Sequence, residues 1–204
     1  MNKTMRTALT AFLILVVLGL SYWLFRIINQ PIEFEKIKAK RYALIQQRLE
    51  EIREVEQAYL TEFGSYVDNF DALIAFVDTG KIKIEERKDS SFMYYNKTYQ
   101  QKMNKDTVVV RILGYEPVKT KLFTADYDAS QLRYIPLPKD RKEEFEIGAG
   151  SIERNGLRIP VFEVSAPNTV IFSDLPSDYS IFIDRAHKVQ VGSLTEPKVS
   201  GNWK

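Results

Sequence analysis

The spacing of apolar residues changes twice along the chain. From Thr7 to Phe25 (TALTAFLILVVLGLSYWLF) there is no charge; from Ile37 to Phe63 apolar residues recur every three or four positions; from Lys81 they alternate or form short β-branched runs. The first stretch, flanked by Arg6 and Arg26, would extend about 28 Å as a helix, close to the ~30 Å hydrocarbon core of a bilayer. Its polar side chains, Thr7, Thr10, Ser21 and Tyr22, lie near its ends, so it lacks the polar stripe of a soluble core helix. A cleaved signal peptide would be shorter and end on small residues, whereas bulky Tyr22, Trp23, Leu24 and Phe25 stand there. An uncleaved single span is expected, anchored by Leu13, Val16, Leu20 and Trp23, with the aromatic pair Tyr22 and Trp23 suited to an interface.

Pro31 is expected to interrupt the helix or mark its re-entry, because proline removes a backbone donor and clashes with the preceding turn. Beyond it, Ile37, Leu44, Ile45, Leu49, Ile52, Val55, Tyr59, Leu60 and Phe63 form one face of an amphipathic helix. Lys40, Arg41, Gln46, Gln47, Glu50, Glu51 and Glu54 fill the other, and Gly64 supplies a stop. The apolar stripe suits either the domain's own sheet or a coiled coil with a second copy. The acidic Glu56 in the heptad series 45, 49, 52, 56, 59 counts against the coiled coil. Asp71 is a candidate cap for a short helix, Ala72 to Val77, ended by Gly80.

The remainder reads as strands. KIKIE alternates, VVVRILGY (Val108 to Tyr115) is β-branched, and LRYIP (Leu132 to Pro136) is a short extended run, with a brief helix expected from Val118 to Phe123. Asn155-Gly156 between FEIGAGSIER and LRIPVFEVSA predicts a hairpin. Gly148 and Gly150 suggest a bulge in its first arm, since Phe145, Ile147 and Ala149 share a parity that Ile152 lacks. Pro160 in the second arm favours an edge strand or a break. Trp203 is expected to dock on the domain and pin the terminus. Helices first and strands afterwards predict an α+β fold, with a long amphipathic helix packed on an antiparallel sheet. Three regions result: a leader and transmembrane helix over 1–30, helices over 31–80, and the sheet portion of the same globular domain over 81–204.

Charge and composition narrow the chemistry. With 29 basic and 27 acidic residues the net charge is +2, carried by the first thirty residues, so the rest offers no basic patch for nucleic acid. The absence of cysteine excludes disulfides, thiolate metal sites and cysteine nucleophiles. A single histidine, His187, completes neither a triad nor a histidine metal site and reads as a surface residue. Asp126 and Asp128 lack the glycine and final glutamate of a helical calcium loop, and the GAG at 148–150 lacks the spacing of phosphate loops. Glu143, Glu144 and Glu146 read as an exposed strand face. No cofactor, metal or catalytic grouping is expected. Phe92, Tyr94, Tyr95 and Tyr99 crowd the polar stretch SSFMYYNKTYQQK, either filling the sheet's core or offering a contact for a protein partner. Gln46 and Gln47 are the second candidate contact, on the polar helix face.

Ile45 to Gly80 (IQQRLEEIREVEQAYLTEFGSYVDNFDALIAFVDTG) resembles type IV pilins and type II secretion pseudopilins. Ala58, Phe63, Gly64, Tyr66 and Leu73 hold the places of that family's helix end, glycine, tyrosine and following short helix. The family's glycine-phenylalanine processing site and the glutamate within its apolar segment have no counterpart: no glycine precedes Gly19 and no acid precedes Glu33. The rest, including the GNW ending, resembles small envelope proteins of Bacteroidota-type Gram-negative bacteria. The resemblance implies a pilin-like domain and a non-catalytic structural or adaptor role in an envelope assembly, with protein partners that include self-association. The alternative is a tethered extracytoplasmic module that binds a ligand or peptide. A bare Lys/Arg count of the flanks favours a cytoplasmic domain. The short basic leader and the resemblance favour the inner membrane with the domain in the periplasm.

Overall fold

A computed structural model describes residues 3–98, 100–139 and 141–203. One helix, α1 (Lys3–Phe63), runs for 61 residues and contains Pro31. The expected interruption at that proline does not occur. Proline forfeits one backbone hydrogen bond, to the carbonyl of Ile27, at a cost of about 3 kcal/mol in a helix interior. The flanking contacts offset it. Arg26 pairs with Asp178, and the Tyr179 hydroxyl donates to Glu33 at 3.1 Å, so the 3-10 helix Ser177–Phe182 grips α1 on both sides of Pro31. Three residues beyond the proline, Phe34 is buried against the rings of Phe172, Tyr179 and Phe182, with centroids 5.3, 6.3 and 5.8 Å away.

The amphipathic stripe covers the chain's own domain. Ile45, Leu49, Ile52 and Val55 are fully buried, each burial worth about 1.5–3 kcal/mol. They face the three-stranded sheet formed by β3 (Glu146–Arg154), β4 (Leu157–Pro167) and β5 (Lys188–Gly192), in the order β3-β4-β5. Glu56, an odd member of a heptad seam, is buried too, and its carboxylate accepts the Val67 N–H at 3.1 Å. α1 stops at Gly64, whose φ of +75° suits glycine and whose N–H bonds the Leu60 carbonyl at 2.8 Å. The next helix, α2 (Phe70–Thr79), is capped by Asn69 rather than Asp71. The Asn69 side chain reaches the Ala72 N–H at 2.8 Å, while Asp71 sits in the first turn, where negative charge suits the helix dipole, and pairs with Arg133. α2 buries Phe70, Leu73, Phe76 and Val77, and Gly80 ends it.

The β3–β4 hairpin turns at Asn155-Gly156, with φ of 54° and 76°, the two positive values that a type I′ turn requires. Its register is continuous from Glu146↔Ser165 to Arg154↔Leu157, so the expected bulge at Gly148 and Gly150 is absent. Gly148 lies beside Leu194, whose side chain a Cβ there would meet at 3.4 Å, a van der Waals contact. Pro160 lies in the half of β4 that pairs with β3 alone, because β5 begins pairing only at Glu163. Leu132 and Arg133, expected extended, close a 3-10 helix, Ala129–Arg133, because the Asp128 side chain accepts from the Ser130 N–H and hydroxyl and nucleates the turn. The brief helix α3 (Val118–Leu122) forms as expected. Trp203 is half-buried against the core, and Gly201 bridges to Val191.

A second tie joins helix and sheet layers through α4 (Asn168–Ile171) and its following loop. Buried Arg41 makes a two-pronged pair with Asp174 at 2.6 and 2.9 Å and also donates to the Ile171 carbonyl. The hydrogen bonds from Arg41 hold the Asp174 carboxyl below its usual range. That stabilisation is present above the ordinary carboxylate pKa and is lost as pH falls through the lowered one. Glu56 behaves oppositely: desolvation lifts its pKa from 4.5 to about 7, against the Val67 hydrogen bond. The folded state therefore holds this proton after the unfolded state releases it, and stability declines as pH rises from about 4.5 to about 7. The total decline is about 3 kcal/mol from this residue. Glu56→Gln, which keeps an acceptor for Val67, should flatten that limb and make the variant more stable than wild type above pH 7. Denaturant unfolding of the full chain in detergent between pH 4 and 8 tests this; parallel curves for the two proteins would refute it.

Candidate interaction site

The strands β1 (Lys81–Asn96) and β2 (Gln101–Pro117) pair only with each other. Their register runs from Lys81↔Pro117 to Asn96↔Gln101, with one bulge at Ile84/Glu85 that leaves Leu113 as the extra residue. At about 3.3 Å per residue the ribbon is roughly 50 Å long. Among the described residues its ties to the rest of the domain lie at its base. Ile82 is buried, the Lys83 N–H donates to Glu62 Oε1 at 3.0 Å, and the Lys83 ammonium lies 3.3 Å from Glu62 Oε2. From Glu85 to Tyr95 on one strand and Val108 to Leu113 on the other, every residue is exposed.

Register determines what this ribbon shows. Paired residues share a face, so Ile112, Val110 and Val108 form an apolar row opposite Glu85, Arg87 and Asp89. Near the tip Phe92, Tyr94 and Met103 lie on one face, Met93 and Tyr95 on the other. The two free edges differ in kind. Along β1 the sequence EERKDSS is charged and polar, the usual protection of an edge strand, whereas VVVRIL along β2 carries a single charge. A lone two-stranded ribbon is marginally stable in water. The β2 edge and its apolar row are thus the surface that this fold leaves most ready for another strand.

The structure corrects the core reading of the aromatic stretch: Phe92, Met93, Tyr94 and Tyr95 are exposed, Tyr94 at 37% and Tyr95 at 57%. Tyr99 lies outside the described residues. Gln46 is half-buried and Gln47 exposed. They sit about four turns from Glu62 along α1, so the two candidate contacts are not brought together. Leu13, Val16, Leu20 and Trp23 are all exposed. Among the described residues α1 is the one helix long and apolar enough to cross a membrane, and none of that apolar window is buried in the domain. Sequence reasoning missed Val108 to Leu113 as surface. The available signal was the partner strand: ERKDSS has no apolar alternation with which to complete a buried face.

The residues weighed for chemistry have structural partners. His187 is exposed and stacks on Tyr42, with centroids 6.3 Å apart. Asp128 caps the Ala129–Arg133 turn and Asp126 is exposed. Glu143 pairs with Arg141 at 3.2 Å, Glu144 with Arg133 at 3.9 Å, and Glu146 accepts from the Ser165 hydroxyl at 3.1 Å. Among the described residues no group of three His, Asp or Glu side chains is placed to hold a metal. An open groove of about 500 Å³ lies between the Gly64–Asp68 turn and the β3–β4 hairpin, against Gly150, Ser151, Arg158 and Pro160. Comparison with protein-family models, curated proteins and solved structures gives no match.

Hydrogen exchange tests the ribbon's isolation. Amides from Arg87 to Tyr95 should exchange at least about 100-fold faster than those of Val161 to Ala166 in β4, since strands without apolar cover open locally. Equal protection of the two segments would mean that the ribbon is covered.

Proposed function

We propose that this chain is a single-pass inner-membrane protein whose C-terminal domain stands in the periplasm as a non-catalytic structural or adaptor part of an envelope assembly. The observation that carries this reading is the β1–β2 ribbon, held only at its base and presenting an unprotected β-branched edge at the end of a long helical support. The partner is a protein that adds a strand along Val108 to Leu113, supplying the missing ladder hydrogen bonds and covering the row Val108, Val110 and Ile112. A second copy of the chain meets that requirement as well as a different protein does. The likeness of Ile45 to Gly80 to pilin-type helices is in keeping with such a role, as is an anchor ahead of it.

The groove against Gly150 and Pro160 favours a second reading, a tethered module that binds an extended peptide. β3 pairs only with β4, and the glycines along it let another backbone approach closely. That reading predicts ligand-dependent protection from thermal unfolding.

Photo-crosslinking in living cells separates the two. A crosslinking residue at Val110 or Tyr95 should give adducts of defined mass, at multiples of the chain's own mass or with particular envelope proteins. Gln47, remote from the ribbon, should give fewer. Monomer alone from Val110 and Tyr95, in cells where the protein is membrane-bound, would overturn the adaptor reading.

A further inference from the structure

The end of the apolar helix and one corner of the domain meet at the same level. Between Thr7 and Ile32 the only charge is Arg26, and Asp178 pairs with it. That stretch of 26 residues measures about 39 Å as a helix, longer than the ~30 Å hydrocarbon core. Ile27, Ile28 and Ile32 are all exposed beyond Arg26. A bilayer that covers the Thr7–Phe25 run therefore has its headgroup region along Arg26 to Ile32. The 3-10 helix Ser177–Phe182 lies against that part of α1, held by Arg26–Asp178 below and Glu33–Tyr179 above. From it projects Ile181, 79% exposed, the most exposed large apolar side chain among the described residues.

We propose that the Ser177–Phe182 corner is a second membrane contact, with Ile181 inserted at the boundary between headgroups and acyl chains. This rests on the reading of α1 as a membrane span and adds that the domain sits down on the bilayer instead of standing clear of it. Continuity with the apolar helix identifies lipid as the occupant. Three features fit a mixed interface: an apolar tip, the amphipathic Tyr179 beside it, and balanced charge, with Asp178 and Asp184 set against Arg26 and Arg185. The contact also accounts for Ile181, which is 79% exposed while Tyr179 and Phe182 of the same turn pack against the core.

The chain has no cysteine, so single cysteines report one position each. Full-length protein carrying Ile181→Cys, Val16→Cys or Leu157→Cys, labelled with an environment-sensitive fluorophore, is reconstituted into phosphatidylcholine nanodiscs with and without shallow or deep nitroxide lipids. Leu157 is the control: 68% exposed, it adjoins Arg158, which lines the same groove as Gly64 at the far end of α1. Ile181 is exposed enough that the substitution leaves the fold intact. The proposal expects shallow nitroxide to quench the Ile181 probe about twofold and to leave the Leu157 probe unchanged, an interfacial depth of about 5–10 Å. Quenching at Val16 by deep nitroxide with none at Ile181 overturns the second contact and leaves the span standing. No quenching at Val16 overturns the span, and the second contact with it.

Discussion

The burial of one face of α1, from Phe34 to Val55, is the constraint on which the rest of the structure depends. β4 and β5, together with the Ser177–Phe182 corner, come from the last third of the chain and have no core without the side chains that α1 supplies. The same helix carries the apolar segment, so that segment and the core belong to one element. A fragment cut after Phe34 would lose Phe172, Tyr179 and Phe182 their common partner, and with it the packing that holds the corner in place. A version without the apolar segment must keep the helix from at least Glu33, which retains the Tyr179 hydrogen bond and Phe34 but gives up the Arg26–Asp178 pair.

Two buried charged sites along this helix have different physical characters. Arg41 and Asp174 satisfy each other with two hydrogen bonds; removal of Asp174 would leave the buried Arg41 guanidinium with the Ile171 carbonyl alone, whereas Asp174 without Arg41 would keep Arg141 at 3.5 Å. Glu56 has one backbone donor for two oxygens, and its Oε1 is buried without a hydrogen-bond partner. A carboxylic acid suits that environment better than a carboxylate, which is why desolvation outweighs the Val67 hydrogen bond in setting its proton affinity. Glu56 thereby ties the loop after Gly64 to the helix, at the same end of α1 as the base of the ribbon.

The sequence shows the elements better than their caps and cover. The stripe through Ile45, Leu49, Ile52 and Val55, the stop at Gly64, the Asn155-Gly156 hairpin and the docking of Trp203 rest on local rules that nothing distant opposes. Some failures are local, as where Asp128 turns Leu132 and Arg133 into a 3-10 helix; others come from tertiary contacts. Pro31 stays within a helix whose next turn is pinned by buried Phe34, with contacts from residues 178 and 179 on either side. Asn69 takes the cap because Asp71 has Arg133 to pair with. Gly148 and Gly150 sit in a continuous register and make no bulge. At the candidate site, the stretch with Tyr94 and Tyr95 reads from the sequence as either core or contact and is exposed in the structure, while the exposure of Val108 to Leu113 was not legible. A β-branched run looks the same whether the protein's own core covers it or nothing does, and only the pairing with a charged strand distinguishes them.

The bracketing of Pro31 has a mechanical consequence for the ribbon. A proline inside a helix is a common place for it to bend, and a free bend would let the domain swing relative to the apolar segment. Here the Ser177–Phe182 segment is fastened to α1 on both sides of that position, so bending there must also break Arg26–Asp178 or Glu33–Tyr179. Both ties are exposed and individually weak, but Phe34 behind them is buried in a ring cluster and cannot move without opening it. The base of the ribbon, at Glu62, then stands a fixed distance along the helix from Arg26, about 54 Å at 1.5 Å per residue. A partner that adds a strand to β2 would meet it at a height and direction set by the helix. That turns a marginal two-stranded ribbon into a positioned one, because the search over orientations that a flexible tether would impose on the partner has already been restricted by folding.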